Sequence, residues 1–164
     1  MPINELLLHE FDREMSSTRK TLERVPAEKW DWKPHERSGS LGWMAGHVAT
    51  LTGFATAIIK NPELELASTD IPKVEKHADL LSTFEKLGLE TRAALTGVTD
   101  QQLQHIWTLK RNGNVIFSMP RYDVLRVMGL NHIVHHRRQL TMYLRQLNVP
   151  VPALYGPSAD EKNV

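Results

Sequence analysis

Residues 121–147 read RYDVLRVMGLNHIVHHRRQLTMYLRQL. Leu125, Met128, His132, His136, Leu140 (or Gln139), Tyr143 and Leu147 recur at steps of three and four. That is the period of an α-helix with one inward face. Pro120 stands at its first turn, and Asn148 and Pro150 end it. So long a helical run commits the C-terminal part of the chain to helix packing. It also raises a chemical question, because imidazole is a poor filler for an apolar stripe.

Working outward, three more segments carry the same period. The first spans about 3–24, with Ile3, Leu7, Phe11, Met15, Thr18 and Leu22 on one face and Pro26 beyond its end. The second spans about 40–60. Ser40 can cap it, and Leu41, Met44, Val48, Leu51, Ala55 and Ile58 form its stripe. The third spans about 77–96, with Leu80, Phe84, Leu87, Thr91 and Leu95. An ordered loop carrying Trp30 and Trp32 follows the first helix, and a crossover from Asn61 to about Lys76 follows the second. Around Asn112-Gly113, β-favouring residues predict a small β-hairpin near 106–118, between the third and fourth helices. The tail from Val151 is Pro- and Gly-punctuated coil. The expected fold class is all-α: one domain over 1–164, built as a four-helix bundle.

Composition narrows the function. The chain has 164 residues, no cysteine and a formal net charge of +1. Without cysteine there is no disulfide, no thiolate nucleophile and no Cys-based metal site. A near-neutral chain has no strong field for nucleic acid or anionic membranes. The N-terminus lacks a basic n-region and a usable apolar h-region, and no apolar run is long enough to span a bilayer. A cytoplasmic protein is expected, with no nucleic-acid and no membrane partner.

His132 and His136 are four residues apart, about 40° of rotation on a helix, so both rings face the same way. Two imidazoles at that spacing can chelate one ion. A third ligand must come from another inward position, and His47 in LGWMAGHVATL lies between the stripe residues Met44 and Leu51. Ala45, Gly46 and Ala49 leave room for close backbone approach. His47, His132 and His136 are therefore the candidate metal ligands. Neutral imidazole suits Zn²⁺, Ni²⁺, Fe²⁺ or Co²⁺. Three protein ligands with positions left for water describe a catalytic site rather than a structural one. Gln139 and His135 are candidates for contacts around the ligands. His9, His35, His77 and His105 have no such pairing and read as surface or loop residues. Trp43 and Tyr143 read as core.

LGWMAGHVATL (41–51), WDWKP (30–34) and NHIVHHRRQLTMYLRQLNVPVPALYGPSADE (131–161), in their places along the chain, carry a resemblance to the DinB/YfiT-like superfamily of metalloenzymes, in its DinB branch. The resemblance covers essentially the whole chain. It implies a four-helix bundle of up-down-down-up topology, a homodimer, and a divalent metal on three histidines, which map to His47, His132 and His136. Family patterns often place Gly after His-His-Arg, where this chain has Arg138. Relatives in the superfamily include bacillithiol- and mycothiol-dependent S-transferases and a mycothiol-dependent maleylpyruvate isomerase.

The expected function is thus a metal-dependent enzyme acting on a small electrophile, with a low-molecular-weight thiol as cosubstrate. The alternatives are a metal-dependent hydrolase and a non-catalytic metal-binding or stress-response bundle. The family's damage-inducible association invites a nucleic-acid role, but no helix-turn-helix, zinc finger or aromatic–basic interleaving supports one. No carboxylate is placed as general base: Glu10, Asp12 and Glu14 read as solvated. Arg121, Arg126, Arg137, Arg138 and Arg145 read as a solvated or intersubunit face, or as a rim guiding an anionic thiol.

Overall fold

The N-terminal stripe forms α1, Ile3–Leu22, in the computed structural model, which describes residues 1–162. Its inward residues Leu7, Phe11, Thr18 and Leu22 are buried. The Trp loop then folds back, with a single 3₁₀ turn at Ala27–Lys29. The Trp30 and Trp32 carbonyls accept hydrogen bonds from the Gly42 and Leu41 amides, and Ser40 Oγ accepts from the Trp43 amide at 3.1 Å. These contacts satisfy otherwise orphaned N–H groups at the start of α2, Leu41–Leu51.

The second predicted helix is interrupted. After α2 the chain turns at Thr52-Gly53 and resumes as α3, Phe54–Lys60. The cause is packing across the bundle. Thr91 Oγ1 donates to the Thr52 carbonyl at 2.5 Å and shares a 2.7 Å hydrogen bond with Thr56 Oγ1. A Cβ at residue 53 would lie 2.9 Å from the Leu87 side chain, so Gly53 lets the helix that carries Leu87 approach. That helix, α4, spans Leu80–Gly97 and follows a 3₁₀ turn at His77–Asp79. A short α5, Asp100–Gln104, starts on a Thr99/Gln102 capping box.

The predicted hairpin is present, but as part of a larger sheet, so the expectation of an all-α fold is corrected. Strands β2, Ile106–Arg111, and β3, Asn114–Pro120, pair antiparallel. They turn at Asn112 and Gly113, both with positive φ (52° and 76°), as a type I′ turn requires. The crossover supplies a third strand, β1, Glu63–Glu65, which runs parallel to β2 and makes the order β1-β2-β3. The alternation Glu-Leu-Glu buries Leu64 and leaves Glu63 exposed. The Glu65 carboxylate accepts from the Asn112 and Gly113 amides and ties this strand to the hairpin turn.

The last helical run begins as α6, Arg121–Val124, widens to a π-helix over Leu125–Asn131, and continues as α7, His132–Gln146. The left-handed Asn148 (φ 57°) follows its end. The helices pack α1 on α4 and α7, and α2 on α4 and α7. Two buried clusters result. One gathers Leu7, Phe11, Ile58, Trp107 and Val124 beside the sheet; the other gathers Leu22, Val48, Phe84, Leu140 and Leu144. No helix among the described residues is long and apolar enough to cross a membrane.

Glu14, Arg121 and Arg137 depart from the solvated face expected of them, whereas Asp12, Arg138 and Arg145 are exposed as expected. Arg137 is 1 % exposed and Glu14 is 4 % exposed. Arg137 donates to Glu14 Oε2 at 2.7 Å, to Thr18 Oγ1 at 3.1 Å and to Tyr155 Oη at 2.7 Å. Tyr155 Oη in turn donates to Glu14 Oε2 at 2.6 Å, so the C-terminal coil is anchored to a buried ion pair. Arg121 is buried too. It donates to the carbonyls of Ile58, Asn61 and Gln102, which closes the C-terminal ends of α3 and α5. Arg126 pairs with Glu10, Asp12 with Arg92, and Arg145 with Asp160, while Arg138 stays exposed.

Candidate metal centre

Two elements bring three imidazoles together. α2 presents His47 and the first turns of α7 present His132 and His136. One nitrogen from each lies within 4.8 Å of the others. His47 sits 4.5 Å from His136 and 5.6 Å from His132, centroid to centroid. α2 reaches this close to its surroundings because it is small-sided: a Cβ at Gly46 would lie 3.2 Å from Val74 of the crossover. The deepest line of α7 is Ile133, Arg137, Leu140 and Leu144; the two histidines stand beside it, half-buried.

Electrostatics keep these rings neutral. Burial, and then the neighbouring His136 and His132, lower the pKa of His47 to about 4. Burial is also the main cause of the lowered values of His132 and His136. Neutral imidazole is the form that gives a lone pair to a cation.

The hydrogen bonds test whether a cation fits. His136 Nδ1 lies 2.7 Å from Gln139 Oε1, which can only accept, so His136 carries its proton on Nδ1. Its Nε2 therefore presents a lone pair. That lone pair faces His132 Nε2 at 2.9 Å, so His132 must place its own proton on Nε2. His132 Nδ1 is then buried without a partner, although the Met128 carbonyl one turn earlier is within reach as an acceptor. A cation at the three nitrogens resolves the frustration. His132 and His136 would offer their Nε2 lone pairs to such an ion, and the His132 proton would then sit on Nδ1, toward the Met128 carbonyl. The donor set and the orphaned nitrogen both fit a divalent ion. The π turn immediately before His132 is a feature frequent at functional sites.

Of the other expected residues, His135 is exposed and outside the group, its ring 4.9 Å from that of His136. Gln139 touches a ligand imidazole. Tyr143 is core, but Trp43 is not: it is 55 % exposed and stacks on His47 at 5.2 Å, with 15° between the planes. Its place four residues before His47 on the same helix face was the available signal. His77 is half-buried, with Nε2 2.8 Å from the Val25 carbonyl, while His9, His35 and His105 are exposed.

His47 and His132 line a cavity of about 420 Å³ whose other walls include Leu51, Phe54, Leu87 and Met128. Leu64 and Leu66, from β1 and the residue after it, close it from the crossover side. This contribution escaped sequence reasoning because a three-residue strand has too short a period to read.

The model of the DinB family matches residues 1–163 of this chain. The uncharacterized protein YrdA of Bacillus subtilis is 26% identical over 156 residues, covering 94% of this chain and 89% of its own. Among solved structures, a DinB-like protein of Bacillus subtilis, YjoA, superposes with a TM-score of 0.71 at 18% identity, covering 97% of this chain and 99% of its own. A DinB-like protein of Bacillus cereus gives 0.68 at 25% identity, over 90% and 95% of the two chains.

Proposed function

This chain belongs to the DinB family, and on that footing we propose that it is a divalent-metal-dependent enzyme that joins a low-molecular-weight thiol to a small electrophile. The observation that carries the reading is the convergence of three imidazoles held neutral by burial, two of them, His47 and His132, on the wall of a cavity. His47, His132 and His136 would hold the ion, and Zn²⁺, Ni²⁺ and Fe²⁺ all suit nitrogen donors. When bound, the ion supplies Lewis acidity that lowers the pKa of a thiol or water within its reach. Gln139 fixes the tautomer of His136 and so aims its Nε2. Trp43 holds the His47 ring flat and covers one of its faces.

The chain has no cysteine, so the sulfur nucleophile must arrive with a cosubstrate. In the transfer a C–S bond forms at the electrophilic carbon. The leaving group departs with its bonding electrons, and the thiol proton passes to solvent. The scaffold in this reading is the up-down-down-up bundle. The long crossover between α3 and α4 supports it, because helices that run the same way need a return segment. A homodimer is the proposed working form, on the family resemblance.

Elemental analysis of untagged protein, followed by a thiol screen, tests the reading. The expected result is about one ion per chain and metal-dependent consumption of thiol. If metal-loaded protein neither binds nor consumes glutathione, bacillithiol, mycothiol or coenzyme A, the thiol version falls and metal-assisted hydrolysis is tested next.

A further inference from the structure

His47 stands where two cavities of different character meet. The first is the chamber of about 420 Å³ behind His47 and His132. Leu51, Phe54, Leu64, Leu66, Leu87 and Met128 supply most of its wall, and its two charged lining residues, Asp70 and Arg111, are of opposite sign. The second is an adjoining cleft of about 490 Å³ that His47 also lines. It is bounded by the exposed Trp43 indole and by Lys73, Val74 and Glu75 of the crossover. His47, Thr50, Ile71 and Pro72 line both spaces. His132 lines only the chamber.

These walls select different ligands. The chamber has few hydrogen-bonding groups for its size, so a polar molecule entering it would lose hydration without replacement. An uncharged apolar body would instead gain from each contact, and the volume is that of an ordinary small-molecule site. The cleft offers the reverse: an ammonium, a carboxylate and an indole face, all open to water. Lys73 and Glu75 are both exposed, so both are open to a ligand that carries both signs. An indole edge or face suits the apolar part of such a molecule.

We propose that the two substrates bind in the two spaces that His47 lines: an uncharged electrophile with an aromatic or branched aliphatic body in the chamber, and the zwitterionic thiol in the Trp43 cleft. Ile71–Pro72 is the wall between them. This assignment rests on the thiol-transfer reading for its two-substrate logic, but each compartment has its own test. Proline at residue 72 stiffens the backbone of that wall. His47 belongs to both compartments, so reacting atoms from either side converge at the histidine group.

The test is two-dimensional NMR of metal-loaded protein, titrated separately with m-dinitrobenzene and with glutathione. Dinitrobenzene should shift the methyl signals of Leu51, Leu64, Leu87 and Met128. Glutathione should shift the Trp43 indole N–H and leave those methyls in place. Ala57, a half-buried chamber residue, gives a filling variant. Ala57→Phe should weaken dinitrobenzene binding by about tenfold or more and leave glutathione binding unchanged. Trp43→Ala should do the converse. Folding of both variants is read from the same spectra; if Ala57→Phe unfolds, Ala57→Leu replaces it. Overlap of the two shift patterns, or loss of both ligands in either variant, overturns the assignment. Metal content is measured on the same samples. Metal bound with an unresponsive chamber defeats this inference alone, while a responsive chamber without metal defeats the metal reading and leaves the chamber standing.

Discussion

His136 has one ring nitrogen committed to Gln139 and the other aimed at His132, so its role is decided by neighbours rather than by its own chemistry. Changing His47, His132 or His136 to Ala should each remove most bound metal, because two imidazoles chelate poorly. Changing His135 to Ala should leave metal content near wild type, since that ring is exposed and outside the group. Inductively coupled plasma mass spectrometry on the four variants decides this; retention in His136→Ala with loss in His135→Ala would sink the assignment. Gln139→Ala should keep the ion but weaken its affinity by about 10- to 100-fold, read by competition with a chelator. The three histidines were legible because helical spacing puts His132 and His136 on one face and His47 on another inward stripe. The orphaned Nδ1 of His132 was not, because it depends on the Gln139–His136–His132 hydrogen-bond chain, which no spacing rule reveals. Trp43 was misread as core for a related reason: hydrophobicity marks a side chain as worth covering, but here the cover is another ring.

At the scale of elements, α1 and α7 are joined through a buried charge. Glu14 and Arg137 stand 123 residues apart in the chain, each on a helix face that polarity alone marks as outward. Sequence patterning reads sign and period along one helix, so a partner on another helix is invisible to it. The same holds for Arg121, whose three carbonyl acceptors lie on segments distant in the chain. By contrast α1, α4 and the Asn112-Gly113 turn were legible, because their signals are local. Arg137→Ala leaves the Glu14 carboxylate buried without its cation, which should cost about 3–5 kcal/mol. The double change Glu14→Leu with Arg137→Met removes both charges and should recover most of that loss. Urea unfolding of the three proteins tests the pair; equal losses in the single and double variants would show that packing, not charge, is the cause. Arg121→Met strands three carbonyls and should cost about 2–3 kcal/mol in the same measurement.

For the whole molecule, the neutral histidine group links stability to pH. His47 has a folded pKa of about 4 against an ordinary value of 6.5, with burial the largest cause. The unfolded chain therefore takes up a proton first as pH falls below about 6.5. Above that value both states are neutral and stability is full. Between there and about pH 4 the unfolded state binds more protons, and stability drops with pH. The lowered values of His132 and His136 act in the same direction. The acids of the C-terminal coil titrate lower. Asp160 is held down by its hydrogen bond from Arg145 and Glu161 chiefly by the Ala153 amide, so their contribution is lost only at more acid pH. The melting temperature of metal-free protein should accordingly fall from pH 7 to pH 5. In His47→Ala that slope should shrink, while in Asp160→Asn it should persist. A divalent ion binds only the native, neutral group, so it should raise the melting temperature at pH 7 and raise it less at pH 5, where protons compete for the same nitrogens. A metal-free protein whose melting temperature is flat across this window, or a slope untouched by His47→Ala, would show that the three rings are hydrated enough to ionise normally.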